Sequence, residues 1–195
     1  MPNLISIQEA VDNFKGLIEG SIRQCGIDAK EAMIRSSKPI NCIHEAVKST
    51  LIKSGVERLR IFPPLGASSP EMKLAGFLKH KHQDVCVAPK GHKPEHEIMQ
   101  DGLLQEAADY YGKAYTERVL SINIRSQMSS LAKNFDTLYE RTIAEAQNLH
   151  VRCPKMVLGE IYMIAVKEYN PVAMKNKKVE FIDKVVTIDQ SPIGR

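Results

Sequence analysis

The sequence predicts an α/β fold: a mixed sheet flanked by helices, with a helical lobe at its N-terminus. Three observations lead there. Residues 116–127, TERVLSINIRSQ, alternate Val119, Ser121, Asn123, Arg125 and Gln127 against Leu120, Ile122 and Ile124. That period of two describes a half-buried strand with one polar and one apolar face. Behind it, Leu131, Phe135, Leu138, Thr142, Ala146 and Leu149 recur at helical spacing as far as His150, and Val157 to Tyr169 returns as a mostly apolar strand. Two strands joined by such a helix usually lie parallel through a right-handed crossover. The third observation is the N-terminus, where Ile5, Ile7, Ala10, Val11, Phe14, Leu17, Ile18 and Ile22 fall three and four apart.

Taken in order, Ser6 marks the start of the first helix and a second begins near Asp28. Pro39 to Ser54 is a third, with Ile40, Ile43, Val47, Leu51 and Ile52 on one face, and Ser54-Gly55 closes it. Val56 to Phe62 reads as a strand that Pro63-Pro64 stops. Ser69-Pro70-Glu71 has the form of a helix start, with serine as cap, proline at the first position and an acid behind it. A strand is expected from about His82 to before Pro89, with Asp84 inside it. Glu97 to Tyr115 places Ile98, Leu103, Leu104, Ala107, Ala108 and Tyr111 at helical spacing, an inserted helix within about 95–115. Ser129 or Ser130 caps the long helix, and a last strand is expected over Val179 to Val186. The result is one domain over residues 1–195, with a helical lobe over about 1–38 and a core over about 39–170.

Composition narrows the function classes. At 43% hydrophobic content, with 11 glycines and 10 prolines in 195 residues, the chain has the apolar side chains for a real core. The net charge of +4 permits a polyanionic partner without requiring one. Cys25, Cys42, Cys86 and Cys153 are widely spaced with no C-x-x-C pair, and the N-terminus lacks a signal-peptide pattern, so free thiols and a cytoplasmic location are expected. No apolar run approaches the roughly 20 residues that cross a bilayer. His80, His82, Cys86, His92 and His96 lie close in sequence but lack the paired spacing of a structural zinc site.

The chemistry concentrates on the polar strand face. An amide, a guanidinium and a second amide at 123, 125 and 127 form a platform for a phosphate or a metal-bound water; the bland reading is an ordinary solvated sheet face. With Asp84 in HQDVCV, Asn123-Ile124-Arg125 on the next long strand, and then a long helix and a strand, the order resembles the PD-(D/E)XK nuclease fold. KLAGFLKHKHQDVCV, INIRSQMSSLAKNFDTLYERTIAEAQNLH and VLGEIYMI are similar to stretches of type II restriction endonucleases, and the resemblance covers roughly residues 40–168.

The resemblance implies a restriction-endonuclease-like core and Mg²⁺-dependent hydrolysis of DNA phosphodiesters within a restriction-modification system. A homodimer reading a palindromic duplex is implied as well. In that pattern two acids hold the metal, and a lysine two residues after the second acid positions the attacking water. Asp84 matches the first acid, Asn123 stands at the second and Arg125 at the lysine, so Asp84 and Asn123 are the expected metal ligands. Asparagine brings no charge to a metal, and arginine cannot act as a base. It can still clamp a phosphate through two parallel hydrogen bonds.

The missing charge is expected from Glu45 or Glu71, and an amine from Lys79, Lys81 or Lys133. Glu140 or Glu145 on the long helix is the alternative displaced acid, against the plainer reading of both as surface residues. Glu71-Met72-Lys73 is a literal acid-x-lysine, but its place at a helix start favours a capping role. His44 reads as a helix-surface residue. Specificity for base edges is expected from the segment between 89 and 116 or from the N-terminal helices. Two other readings stand beside the enzyme: a DNA-binding relative that has lost cleavage through positions 123 and 125, and a protein whose polar strand face holds a small anion.

Overall fold

The computed structural model describes residues 2–100, 102–128 and 131–183, with the side chains of 131–136 and 183 outside that description. Three helices open the chain: α1 (Ile7–Cys25), α2 (Ile27–Arg35) and α3 (Lys38–Lys53). Ser6 caps α1 as expected. Its Oγ accepts from the Glu9 amide at 3.1 Å, and Glu9 returns a carboxylate to the Ser6 amide at 2.6 Å. Gly26 separates α1 from α2 at φ +75°, where a Cβ would meet the Met174 carbonyl oxygen at 2.9 Å. Only glycine fits that turn without strain.

The strands follow as β1 (Ile61–Phe62), β2 (Met72–Ala75), β3 (His80–Gln83) and β4 (Val85–Val87). After them come β5 (Glu97–Ile98), β6 (Ala108–Asp109), a four-residue helix α4 (Lys113–Thr116) and β7 (Leu120–Gln127). Helix α5 (Leu131–His150) leads to β8 (Val157–Ile164), β9 (Lys167–Tyr169), α6 (Pro171–Lys175) and β10 (Phe181–Asp183). The central sheet has the order β1-β4-β7-β8. Strand β4 runs antiparallel to β1 and β7, whereas β8 runs parallel to β7, in register from Leu120↔Val157 to Gln127↔Ile164. A mixed sheet flanked by helices is therefore present, and β7 and β8 are parallel as the intervening helix requires.

Five expected elements differ. Among the described residues between 97 and 115 there is no long helix. Glu97–Ile98 and Ala108–Asp109 pair antiparallel, and the turn between them holds Gly102 at φ +76° and Glu106 at φ +69°. Those left-handed residues break the helical spacing, and Leu103 is 77% exposed. Residues 69–71 do not start a helix either. Met72 and Leu74 are buried and Lys73 is exposed, a period of two that docks β2 on β3. The strand expected from His82 divides into β3 and β4 at a bend on Asp84, and the one expected over Val157 to Tyr169 divides into β8 and β9. Of the strand expected from Val56, only Ile61–Phe62 pairs, after a 3₁₀ turn at Arg58–Arg60. The capping serines 129 and 130 and the end of the last expected strand lie outside the described residues.

Each face of the sheet has its own core. Leu120, Ile122 and Ile124 pack against a cluster built from Phe14, Ile18, Ile43 and Val47 of α1 and α3. The other face carries Met72, Leu74, Cys86, Val119, Leu149 and Cys153. Each fully buried side chain of this size contributes about 1.5–3 kcal/mol relative to exposure. All four cysteines are free thiols, and burial pushes the Cys86 thiol up to about 12. No helix among the described residues is long and apolar enough to cross a membrane.

Candidate functional site

The pleat of β7 builds the site. Because alternate residues point to opposite sides, the three apolar residues that seal the α1–α3 core turn Ser121, Asn123 and Arg125 towards α5. This face is not solvated. Ser121 is fully buried and Asn123 is 4% exposed. Ser121 Oγ donates to Gln83 Oε1 at 2.9 Å, which joins β7 to β3.

Asn123 and Arg125 meet carboxylates. In the parallel register Asn123 lies opposite Glu160, and its Nδ2 donates to Glu160 Oε1 at 2.8 Å. Arg125 Nε reaches Glu160 Oε2 at 3.4 Å, and its Nη2 pairs with Glu145 Oε2 on α5. Lys81 Nζ pairs with the same Glu145 oxygen. Two carboxylates and two cations thus converge beside one amide, contributed by β3, β7, α5 and β8. The charges sum to zero. Burial pulls the Arg125 guanidinium down, but Glu145 and Glu160 outweigh it and hold it above its ordinary value. Burial also raises Glu145, while Lys81 and Arg125 together bring its carboxyl below the usual range.

One face of α5 sets this geometry. Thr142, Glu145 and Asn148 follow at three-residue intervals and so project from one side of the helix. Thr142 Oγ1 bonds the Tyr162 hydroxyl, and Tyr162 lies opposite Arg125 in the register. Asn148 holds the β2–β3 turn. Its Oδ1 accepts from the Leu78 and Lys79 amides at 2.8 and 3.1 Å, its Nδ2 donates to the Lys79 carbonyl at 3.1 Å, and its own carbonyl accepts from the Phe77 amide at 2.6 Å. A Cβ at Gly76 would lie 2.3 Å from the Asn148 side chain. The hairpin that carries Lys81 is therefore fixed to the helix that carries Glu145.

Asp84 occupies the bend between β3 and β4, where Val85↔Ile122 begins the antiparallel ladder. Its Oδ2 accepts from the Ile124 amide at 2.7 Å, so it sits against the backbone of β7 one residue past Asn123. Glu45 and Glu71 are engaged elsewhere. Glu45 accepts from Lys48 Nζ and from the Gly66 amide, each at 2.7 Å, and the 1%-exposed Lys48 also donates to the carbonyls of Pro64 and Ala67. This group pins α3 to the loop after Pro63-Pro64. Glu71 lies 3.5 Å from His82 Nδ1 at the ribbon edge. His44 is half-buried, not a surface residue: burial lowers its pKa, and the nearby Asp84 carboxylate opposes that shift.

Of the residues singled out in the sequence, the structure gathers Asn123, Arg125, Lys81 and Glu145, and brings Asp84 to the same strand. The side chain of Lys133 lies outside the described residues. Glu160 escaped the sequence reading, although it left a signal as the one charged residue in the otherwise apolar VLGEIYMI. Among the described residues no group of three or more histidines, cysteines or acids is arranged to hold a metal ion. Mg²⁺ is ordinarily held through one or two carboxylates together with water and substrate phosphates. Glu145 and Glu160, drawn to a single guanidinium, fit that donor set, with the Asn123 amide between Glu160 and the strand. No family model matches the chain, and neither a curated protein nor a solved structure gives a match.

Proposed function

We propose that this chain hydrolyses DNA phosphodiesters as a sequence-specific, Mg²⁺-dependent endonuclease of the restriction-endonuclease-like class. The observation that carries the reading is the convergence of Glu145, Glu160 and Lys81 on Arg125, beside Asn123. The acid absent at position 123 is supplied from position 160, directly across the parallel register, and the amine absent at 125 is supplied by Lys81. The topology supports the same reading: helix α3, three successive antiparallel strands, helix α5 and a parallel fourth strand. The part from the Asp84 bend through β7 and α5 to β8 is the succession on which the resemblance of residues 40–168 rests.

In this reading Glu160 and Glu145 are the acids that would hold the metal, Asn123 would offer its amide oxygen, and Asp84 adds negative charge against the backbone of β7. An Mg²⁺ ion held there would supply charge neutralisation and a lowered pKa for the attacking water. Arg125 presents its guanidinium to the scissile phosphate, where a planar cation stabilises the charge that builds up on the equatorial oxygens. Lys81 orients the water. Both cations are held beside carboxylates before DNA arrives, so little reorganisation remains for the reacting complex. A homodimer would present two such sites to the two strands of a palindromic duplex.

A second reading has its own support. Every cation of the cluster already has a carboxylate partner, which suits a DNA-binding relative that no longer cleaves. Incubating the full chain with mixed-sequence phage or plasmid DNA, with Mg²⁺, with Mn²⁺ and with EDTA, separates the two. Discrete fragments with Mg²⁺ and none with EDTA are expected. Salt-dependent DNA binding without cleavage under either metal would favour the binding relative, and the absence of both would sink both readings.

A further inference from the structure

The ribbon β2–β3 lies outside the central sheet and carries an unusual charge pattern. Residues 72–83, MKLAGFLKHKHQ, contain three lysines, two histidines and no acid. The register pairs Met72↔Gln83 and Leu74↔Lys81 on one face, and Lys73↔His82 and Ala75↔His80 on the other. The first face turns inwards. Met72 and Leu74 join the core under α5, Gln83 meets Ser121, and Lys81 reaches Glu145. On the outer face Lys73 and His82 are exposed, and the turn adds exposed Lys79 and Leu78. Glu71, just ahead of β2, pairs with His82. His80 is tied down by the Ala108 carbonyl at 3.0 Å.

We propose that this ribbon is the element that grips the phosphate backbone of duplex DNA, through Lys73 and Lys79 on its outer side. The inference rests on the nuclease reading and deepens it by naming the contact surface. Three features argue for it. The outward charge is positive and matches a polyanion. The ribbon is tied to α5, since Asn148 satisfies its turn and Gly76 lies close against that helix. One element also joins the surface to the chemistry, because Lys81 points into the carboxylate cluster from the strand whose neighbouring turn carries Lys79. Four-residue strands extend over roughly 13 Å, close to the major-groove width of about 12 Å. The ribbon is separate from the 89–116 segment and the N-terminal helices, from which the sequence reading expects base-edge contacts.

The test is the salt dependence of binding, measured by fluorescence anisotropy on a labelled duplex of mixed sequence in EDTA, so that cleavage plays no part. The full chain is compared with the paired variant Lys73→Ala, Lys79→Ala. A control removes Lys38 and Lys53, both exposed on α3 across the sheet. Each lost phosphate contact lowers the slope of log K against log salt by about 0.9, so the ribbon variant should lose roughly two units of slope and the control none. A wild-type slope in the ribbon variant would overturn the assignment while leaving the nuclease reading intact. No binding by the wild-type chain would remove the reading beneath it. Melting temperature and far-UV circular dichroism are expected to be unchanged in both variants, because these lysines are on the surface.

Discussion

The two faces of β7 are one residue apart in sequence and opposite in purpose. Leu120, Ile122 and Ile124 enter a core with Phe14, Ile18 and Ile43, whereas Ser121, Asn123 and Arg125 meet Gln83, Glu160 and Glu145. The pleat separates stabilisation from chemistry on a single strand. The apolar face gains free energy in proportion to the area it buries. The polar face must instead satisfy every group it buries, and it does so with ion pairs that fix the position of each charge. A protein built this way can alter the polar face while the α1–α3 face continues to hold the fold.

Substitutions that cross from one face to the other sharpen this contrast. The largest effect on stability belongs to the apolar side: Phe14→Ala, at a residue 2% exposed, should cost about 3–5 kcal/mol in urea unfolding. On the polar side, Asp84→Asn should weaken the proposed chemistry without unfolding the chain. The new side chain still accepts from the Ile124 amide but removes the charge, so cleavage is expected to fall on the order of 10²-fold while the chain stays folded. Retained cleavage would leave Asp84 as a backbone brace only.

A third effect is read against pH. Lys81 and Arg125 overcome the effect of burial and hold Glu145 below the ordinary carboxylate range. The unfolded chain therefore takes up the proton at a higher pH than the folded one. The stabilisation from Glu145 is complete above the unfolded value of about 4.3 and is lost as the pH falls below it through the folded pKa. Acid unfolding monitored by circular dichroism should show a shallower loss over that window in Glu145→Gln. The smallest effects are expected at the two acids the structure draws elsewhere. Glu45→Gln weakens the hold on buried Lys48 and should cost about 1–2 kcal/mol, and Glu71→Gln, beside an exposed histidine, about 0–1 kcal/mol. Neither should change cleavage in a plasmid assay.

Much of this arrangement is legible along the chain because it rests on local periodicity. The alternation of 119–127 locates β7 and both of its faces, and the helical stripes and the Ser6 cap locate α1, α3 and α5. The parallel pairing of β7 and β8 follows from the length of the connection. What the sequence conceals depends on contacts between distant residues. Residues 97–115 have helical spacing, but left-handed turns at Gly102 and Glu106 and the pairing of β5 with β6 override it. Glu71 has the form of a capping acid, yet Met72–Ala75 finds a strand partner in β3. Glu160 is the clearest case. Its role depends on the register of two strands separated by a 20-residue helix, and no spacing rule along the chain supplies that register. Glu145 and Lys81 could be named as candidates from the sequence because of their charge, but only the fold chooses them over Glu140 and Lys79.

The most direct test is to move the carboxylate across the register. Glu160→Gln alone should abolish Mg²⁺-dependent DNA cleavage while leaving duplex binding in EDTA near the wild-type level. The paired exchange Asn123→Asp with Glu160→Asn returns the acid to the strand that carries Arg125 and keeps an amide opposite it, and it should restore cleavage in part. Unimpaired cleavage by Glu160→Gln would contradict the account, because position 160 would then not be the source of the missing acid.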